Sequence, residues 1–187
     1  GPYALDVAMN DGGIRHVTAD RIFINTGLRP RYPDLPGIDA VPCLDSTSIM
    51  ELDVVPEHLL VLGGGYVGVE FAQMFRRFGS EVTIVQRSDQ LLTHEDDDVA
   101  AEVASILRED GITVHLNATG TGVEQNADDR ITLQVDQEGE TLDLRGSHLL
   151  LAAGRVPNVE ALELDAASIE TTDRGHIKVD ARLETNV

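Results

Sequence analysis

Three glycines raise the first chemical question. Gly63, Gly65 and Gly68 in "VLGGGYVGVE" satisfy G-x-G-x-x-G, between a run of apolar residues and a helical pattern opened by Tyr66 and Val67. Backbone bare of side chains at such a junction can lie against a pyrophosphate. The first glycine makes the tight turn, the second admits the phosphates, and the third lets the helix pack closely on its strand. The unpaired N–H groups of the helix start, with the helix dipole, then favour the anion. The spacing is weak alone. A buried strand before it, an amphipathic helix after it and a second strand a dozen residues on identify it as the first turn of a dinucleotide-binding unit. Gly64 reads as an additional, tolerated turn residue. The alternative is a glycine-rich turn that holds no ligand.

The next chemistry-bearing position lies at the end of the second strand. An acidic residue about 20 positions after the glycines normally grips the ribose diol of NAD. Here the chain reads "VTIVQRSDQLL", with Gln86 and Arg87 in that place. Gln86 does not repel a 2′-phosphate, and Arg87 can bind one through charge-assisted hydrogen bonds. The expectation is NADP ahead of NAD; a surface arginine without a role is the alternative. Glu70, early in the helix, either complements the dipole or reaches the nicotinamide end of the nucleotide.

Other polar clusters carry less. "THEDDD" (93–98) sets His94 beside four carboxylates but lacks a metal-ligand spacing. Thr93 with Asp96 reads instead as a capping pair at a helix start. The remaining five histidines are scattered without triad or metal spacing, and no metal is expected. Cys43 is the one cysteine, so a disulfide framework or a dithiol pair within this chain is excluded, and it reads as an ordinary thiol.

These groups must be positioned by a chain of 187 residues with a net charge of −19, from 14 basic and 33 acidic residues. Thirteen of the basic residues are arginine and one is Lys178. So acidic a surface argues against nucleic acid and anionic membranes as partners. No apolar run approaches the ~18 residues of a membrane span and no signal peptide is visible, so the expected location is cytoplasmic. The start at Gly1 and the ending "ARLETNV" read as a portion of a longer protein.

Residues 3–25 read as strands around the hairpin turn "NDGG", and four prolines between Pro30 and Pro42 mark a loop. "DSTSIMEL" reads as a short helix with Ser48 and Glu51 as a capping box. A strand (58–63) leads to a helix whose apolar face is Val67, Phe71, Met74, Phe75 and Phe78, ended by Gly79. A strand (81–85), a helix (95–109) with Val99, Val103, Ile106 and Leu107 on one face, and a strand (112–116) follow. Then "RITLQVD" and "ETLDLRG" alternate as a hairpin, and "HLLLAAG" and "HIKVDARL" read as two further strands. The pattern predicts an α/β fold, Rossmann-like, with a parallel sheet plus an antiparallel meander.

Three segments in this order, "IFINTGLRPRYPDLPG", "VLGGGYVGVEFAQMFRRFGSEVTIVQR" and "LLLAAGRVPN", resemble the FAD-dependent pyridine nucleotide–disulfide oxidoreductases. The likeness spans nearly the whole chain. It falls in the group of mercuric reductase, dihydrolipoamide dehydrogenase and glutathione reductase, nearest the mercuric-reductase-like branch because lipoamide dehydrogenases usually carry Glu at position 86. The resemblance implies a three-layer ββα NAD(P)-binding domain at 41–160, flanked by β-strands of an FAD domain at 1–40 and a return segment at 161–187. It also implies roles. Thr26 and Gly27 would contact FAD, and Arg87 would bind the 2′-phosphate. Tyr66 would cover the nicotinamide pocket, and Glu70 would pair with a lysine near the flavin and touch the carboxamide. Ala153, Gly154 and Arg155 would line the nucleotide cleft.

In such a parent NADPH passes a hydride to FAD, which reduces a cysteine pair; the implied whole is a homodimer with its own dimerisation domain. The first FAD glycine motif, the cysteine pair, the later Gly-Asp segment and the dimerisation domain have no counterpart in this chain. The chain alone is therefore expected to be inactive. An NADH-dependent flavoprotein oxidase or reductase of the same fold, or a non-catalytic nucleotide-binding module, stands as the alternative.

Overall fold

A computed structural model describes residues 3–187; residues 1 and 2 of the expected first segment lie outside the described residues. Two compact units divide the chain: one runs to Arg29 and resumes from Arg155 to Val187, and the other is Pro30–Gly154.

In the first unit, β1 (Ala4–Ala8) and β2 (Ile14–Thr18) pair antiparallel, with Ala8 opposite Ile14. Gly12, at φ 85°, closes the turn by donating its N–H to the Met9 carbonyl at 3.0 Å. This is the hairpin that "NDGG" predicts. A third short strand, β3 (Leu28–Pro30), ends the segment. The strand expected over 176–183 does not form; a single bridge joins Thr171 to Ile177. Asp180 is the reason. Its carboxylate accepts the N–H groups of Arg182 (2.8 Å) and Glu184 (3.0 Å), a local turn that outcompetes an extended ladder.

The second unit is a three-layer ββα sandwich. Its parallel sheet is built from β4 (Cys43–Leu44), β5 (His58–Leu62), β6 (Glu81–Val85), β7 (Thr113–His115) and β11 (His148–Leu151) in the order β4-β11-β5-β6-β7. Helices α1 (Tyr66–Phe78) and α2 (Asp97–Glu109) cover one face. The meander β8 (Ala118–Gln125), β9 (Ile131–Gln137) and β10 (Glu140–Gly146) covers the other. The strand β12 (Arg155–Pro157) then pairs with β3 in the first unit. Successive side chains of β5 and β11 serve the two faces. Leu59, Val61 and Leu150 pack in the helix-side core; Leu60, Leu149 and Leu151 pack in the meander-side core. Burial on both faces is why these strands are continuous apolar runs. The strand β8 is absent from the sequence reading because "ATGTGVEQ" has little apolar alternation, and its register slips between Gly120 and Gly122.

Both helices are rotated from the faces that the sequence predicts. In α1 the buried line is Gly68, Ala72 and Phe75, while Phe78 is 59% exposed. In α2 it is Ala100, Ala104 and Leu107, while Val99 is 45% exposed. Each line runs i, i+4, i+7 with two small residues first. The helices approach the sheet along those small residues, and the larger Val69, Phe71, Met74 and Val103 flank the contact. Arg76 joins the two helix ends, donating to the carbonyls of Asp110 (2.8 Å) and Ser80 (3.2 Å).

Two caps also differ from expectation. Ser48 pairs with Asp45 rather than Glu51: the Asp45 carboxylate accepts from the Thr47 and Ser48 N–H groups, and Ser48 Oγ accepts from the Asp45 N–H. These bonds hold the Asp45 carboxyl below its ordinary value. At α2 the N-cap is Asp96 without a side-chain bond, so Thr93 and Asp96 form no capping pair; Asp97 and Asp98 in the first turn complement the dipole.

Ala104→Leu is expected to overpack the helix–sheet contact and lower stability by about 1–3 kcal/mol. Val99→Ala is expected to change it by less than about 0.5 kcal/mol. Urea unfolding midpoints decide, and the reverse ranking would restore the face predicted from residue size.

A pH effect follows from His58 at the start of β5, whose Nε2 meets Thr83 Oγ1 at 2.9 Å. Burial pushes this imidazole below its ordinary value, against the opposing Glu81 carboxylate 3.8 Å away. The unfolded chain therefore takes up the proton first. The stabilisation is complete above about pH 6.5 and is lost as pH falls through the lower folded value. Replacing His58 by Gln is expected to flatten the decline of unfolding free energy between pH 7 and 5; an unchanged slope would refute this.

Candidate functional site

The strands β5 and β11 are parallel neighbours, yet the chain leaves β5 towards β6 on one side and returns to β11 on the other. In open α/β sheets, ligands bind outside the carboxyl ends of the strands at such a reversal. The turn 63–68 and residues Ala152–Gly154 follow those two strand ends.

The glycines of the turn are needed for different reasons. Gly63 has φ 114°, and a Cβ on it would stand 2.4 Å from the Ala152 carbonyl oxygen. A Cβ on Gly68 would stand 2.0 Å from the Gly63 oxygen. Gly64, expected as a tolerated extra, has no room either: its Cβ would lie 2.4 Å from Cδ2 of the fully buried Leu91 and 3.1 Å from Gln86 Cβ. Gly65 is the exception. Its φ of −79° and ψ of −175° suit any residue, and nothing lies within 4 Å of where its Cβ would be. The protein's own packing gives no reason for glycine there.

No side chain caps α1 at Gly65, and its first turn contains no acidic residue. Glu70 is exposed and lies one turn further in, where attraction to the dipole has faded. It takes part in none of the ion pairs found among the described residues. Val67 is half-buried. Tyr66 is 52% exposed, and its hydroxyl donates to the Glu95 carboxylate. That bond, more than desolvation, raises the phenol above its ordinary value.

Gln86 and Arg87, adjacent in sequence, behave differently. Arg87 is exposed and in none of those ion pairs. Gln86 is 9% exposed, and its Oε1 accepts the Gly64 N–H at 2.9 Å. Ala153 is half-buried; Gly154, at φ 112°, has nothing within 4 Å of a Cβ position. Sequence reasoning missed Gln90, Leu91 and Glu95, which pack or bond against this turn. Their one signal is a buried apolar pair, Leu91–Leu92, within an otherwise polar stretch.

The first unit contains Thr26, Gly27 and Arg155. Asn158 holds the first two: its Nδ2 donates to the Thr26 carbonyl (3.0 Å) and its N–H to the Gly27 carbonyl (3.1 Å). Arg155 donates to the Leu28 carbonyl at 2.8 Å, and Arg29 pairs with Glu160 at 2.5 Å. Gly27 takes φ 73°.

Among the described residues, no three His, Cys, Asp or Glu side chains gather in a way that could hold a metal ion. No helix there is long and apolar enough to cross a membrane. Burial pushes the half-buried Cys43 thiol up to about 11, so it is protonated near neutral pH.

Residues 4–187 match the family described as pyridine nucleotide-disulphide oxidoreductase. The mercuric reductase of Streptomyces lividans is 42% identical over 182 residues, which cover 97% of this chain and 38% of that protein. The probable pyridine nucleotide-disulfide oxidoreductase RclA of Escherichia coli K12 is 40% identical over 184 residues, covering 98% of this chain and 40% of that one. A solved structure of the Cu(II) complex of the HOCl-induced flavoprotein disulfide reductase RclA from E. coli superposes with a TM-score of 0.84 at 39% identity. It covers 98% of this chain and 41% of that one. The chain thus spans about two fifths of the length of these relatives.

The turn makes a stability prediction that needs no ligand. Gly63→Ala is expected to cost about 1–3 kcal/mol through strained backbone and the clash with Ala152, whereas Gly65→Ala, which loses only a favoured N-cap residue, should cost less, about 0.5–1 kcal/mol. Thermal melts of the two variants compare them directly, and equal losses would show that Gly65 is needed by the fold.

Proposed function

This chain belongs to the pyridine nucleotide-disulphide oxidoreductases, and from that membership we propose that Pro30–Gly154 binds NADPH for a flavin-dependent disulfide oxidoreductase. The observation that carries the reading is Gly65, a glycine that neither backbone strain nor crowding requires. It stands at the uncapped start of a helix, where backbone N–H groups and dipole suit a pyrophosphate.

The chemistry that the bound cofactors supply is hydride transfer from NADPH to FAD and reduction of a cysteine pair by the flavin. The residues of this chain bind and orient. The amides following Gly64 would hold the pyrophosphate, and Arg87 would hold the 2′-phosphate. Glu70, whose carboxylate is in no ion pair among the described residues, would take the carboxamide at the nicotinamide end. Tyr66 would cover that pocket after leaving Glu95. Ala153, Gly154 and Arg155 would serve the nucleotide, as the resemblance implies, and Thr26 and Gly27 belong to the flavin side of the reading. Cys43, alone and half-buried with a raised pKa, is unsuited to the thiol chemistry.

The expected division at 1–40, 41–160 and 161–187, with the outer segments in an FAD domain, belongs to the same proposal. So does a mercuric-reductase-like, homodimeric, cytoplasmic parent; Gln86 in place of an acid supports that branch.

Calorimetric titration tests it. NADPH is expected to bind about tenfold more tightly than NADH, and Arg87→Ala to abolish the difference, as a hydrogen bond to a charged group at an exposed site implies. Gly65→Val should lose both nucleotides while leaving the fold largely intact. Equal wild-type affinities would overturn the choice of NADPH, and normal binding by Gly65→Val would overturn the phosphate turn.

A further inference from the structure

We propose that the side-chain amide of Gln86 positions the phosphate turn, so that this site requires a neutral, two-ended hydrogen bonder at 86; the inference rests on the nucleotide reading above. Gln86 is fixed from both directions by its backbone, which donates to the His115 carbonyl (2.9 Å) and accepts from the Ala118 N–H (3.0 Å). Its side chain uses both ends. Oε1 accepts the Gly64 N–H at 2.9 Å, and Nε2 donates to the Gln90 carbonyl at 3.2 Å.

From Gln90 the bonds return to their origin. Gln90 Nε2 donates to the Glu95 carbonyl (3.3 Å), the Glu95 N–H to the Leu92 carbonyl (2.8 Å), and the Leu92 N–H to the Gly64 carbonyl (2.8 Å). Leu91, fully buried, sits against the Gly64 α-carbon beside this circuit. The Glu95 carboxylate accepts the Tyr66 hydroxyl and so extends the connection to the first helical residue. The segment after β6 is therefore bolted to the glycine turn at Gly64 and Tyr66, on either side of Gly65.

Two consequences follow. With the Gly64 N–H committed inwards to Gln86, the amides that remain for an anion begin at Gly65. The amide of Gln86, held at both ends by the turn and the Gln90 carbonyl, is turned to the protein's own backbone rather than kept free to grip a ribose diol. A carboxylate at 86 could still accept from Gly64, but it would set a second acceptor against the Gln90 carbonyl without a proton between them. That arrangement cannot hold the same geometry.

Gln86→Leu and Gln86→Glu test this with two readouts. In Gln86→Leu the affinities for NADPH and NADH should fall by a similar factor, about tenfold, because the turn serves the pyrophosphate common to both. A loss confined to NADPH would mean that Gln86 touches the 2′-phosphate, and unchanged affinities would mean that it positions nothing; either overturns the proposal. In ligand-free Gln86→Glu, the backbone amide resonances of Gly64 and Glu95 should titrate with the introduced carboxyl. They should move towards their wild-type positions as acid restores a donor proton. Resonances that differ from wild type equally at all pH values would overturn it. If wild type binds neither nucleotide, the nucleotide reading fails, while titrating Gly64 and Glu95 resonances would still support the clamp.

Discussion

Between the carbonyl oxygen of Gly63 and the α-carbon of Gly68 there is no space for a methyl group: a Cβ on Gly68 would sit 2.0 Å from that oxygen. The contact fixes how α1 leaves β5, and the rest of the Pro30–Gly154 unit is built around it. A helix held so close to its strand must present small residues next, and Ala72 follows Gly68 by four positions, with Phe75 filling the widening gap. Gly63 is held in turn, its N–H on the Val85 carbonyl at 2.9 Å and its α-carbon against the Ala152 backbone. The ends of β5 and β11 and the start of α1 are thereby set by contacts that only glycine permits.

Close packing explains what was legible in the sequence and what was not. The strands β5, β6 and β11 are visible because burial on both faces makes them apolar runs, and both helices are visible by period. Their faces were misjudged, since periodicity weighs Phe78 and Val99 above Gly68 and Ala100, although contact runs along the small residues. Two of the three meander strands alternate legibly. The third, β8, contains Gly120 and Gly122 and depends on Leu35, Leu62 and Leu133 packing near it, which no local window contains. The alternation at 176–183 predicts a strand that the Asp180 turn replaces.

At the site, the glycine spacing and the residues after β6 were legible by type, but their division of labour was not. By sequence, Gly64 reads as spare and Gln86 as a residue that faces the ligand. Both readings depend on whether the segment after β6 folds back, and nothing in "QRSDQLLTHE" announces that Leu92 will bond to Gly64 across 28 positions. A hydrogen-bond partner that distant leaves no periodic trace. The same limit applies to Tyr66, whose hydroxyl bonds to Glu95 across 29 positions.

What separates the two groups of residues is whether the protein has already used their bonding capacity. Gly63, Gly64 and Gly68 are used sterically, and Gln86 is used at both ends of its amide. Gly65, Glu70 and Arg87 are left over: one unfilled space, and a carboxylate and a guanidinium in no ion pair among the described residues, in a chain whose net charge is −19. Arg77 and Arg145 are likewise in no ion pair among the described residues, so what marks Arg87 is its place beside Gln86 in the bolted segment. Motif matching treats every residue in the pattern alike. Counting which donors, charges and spaces remain unspent distinguishes the residues that build the turn from those that can act outside it, and it leaves Gly65, Glu70 and Arg87 in the second class.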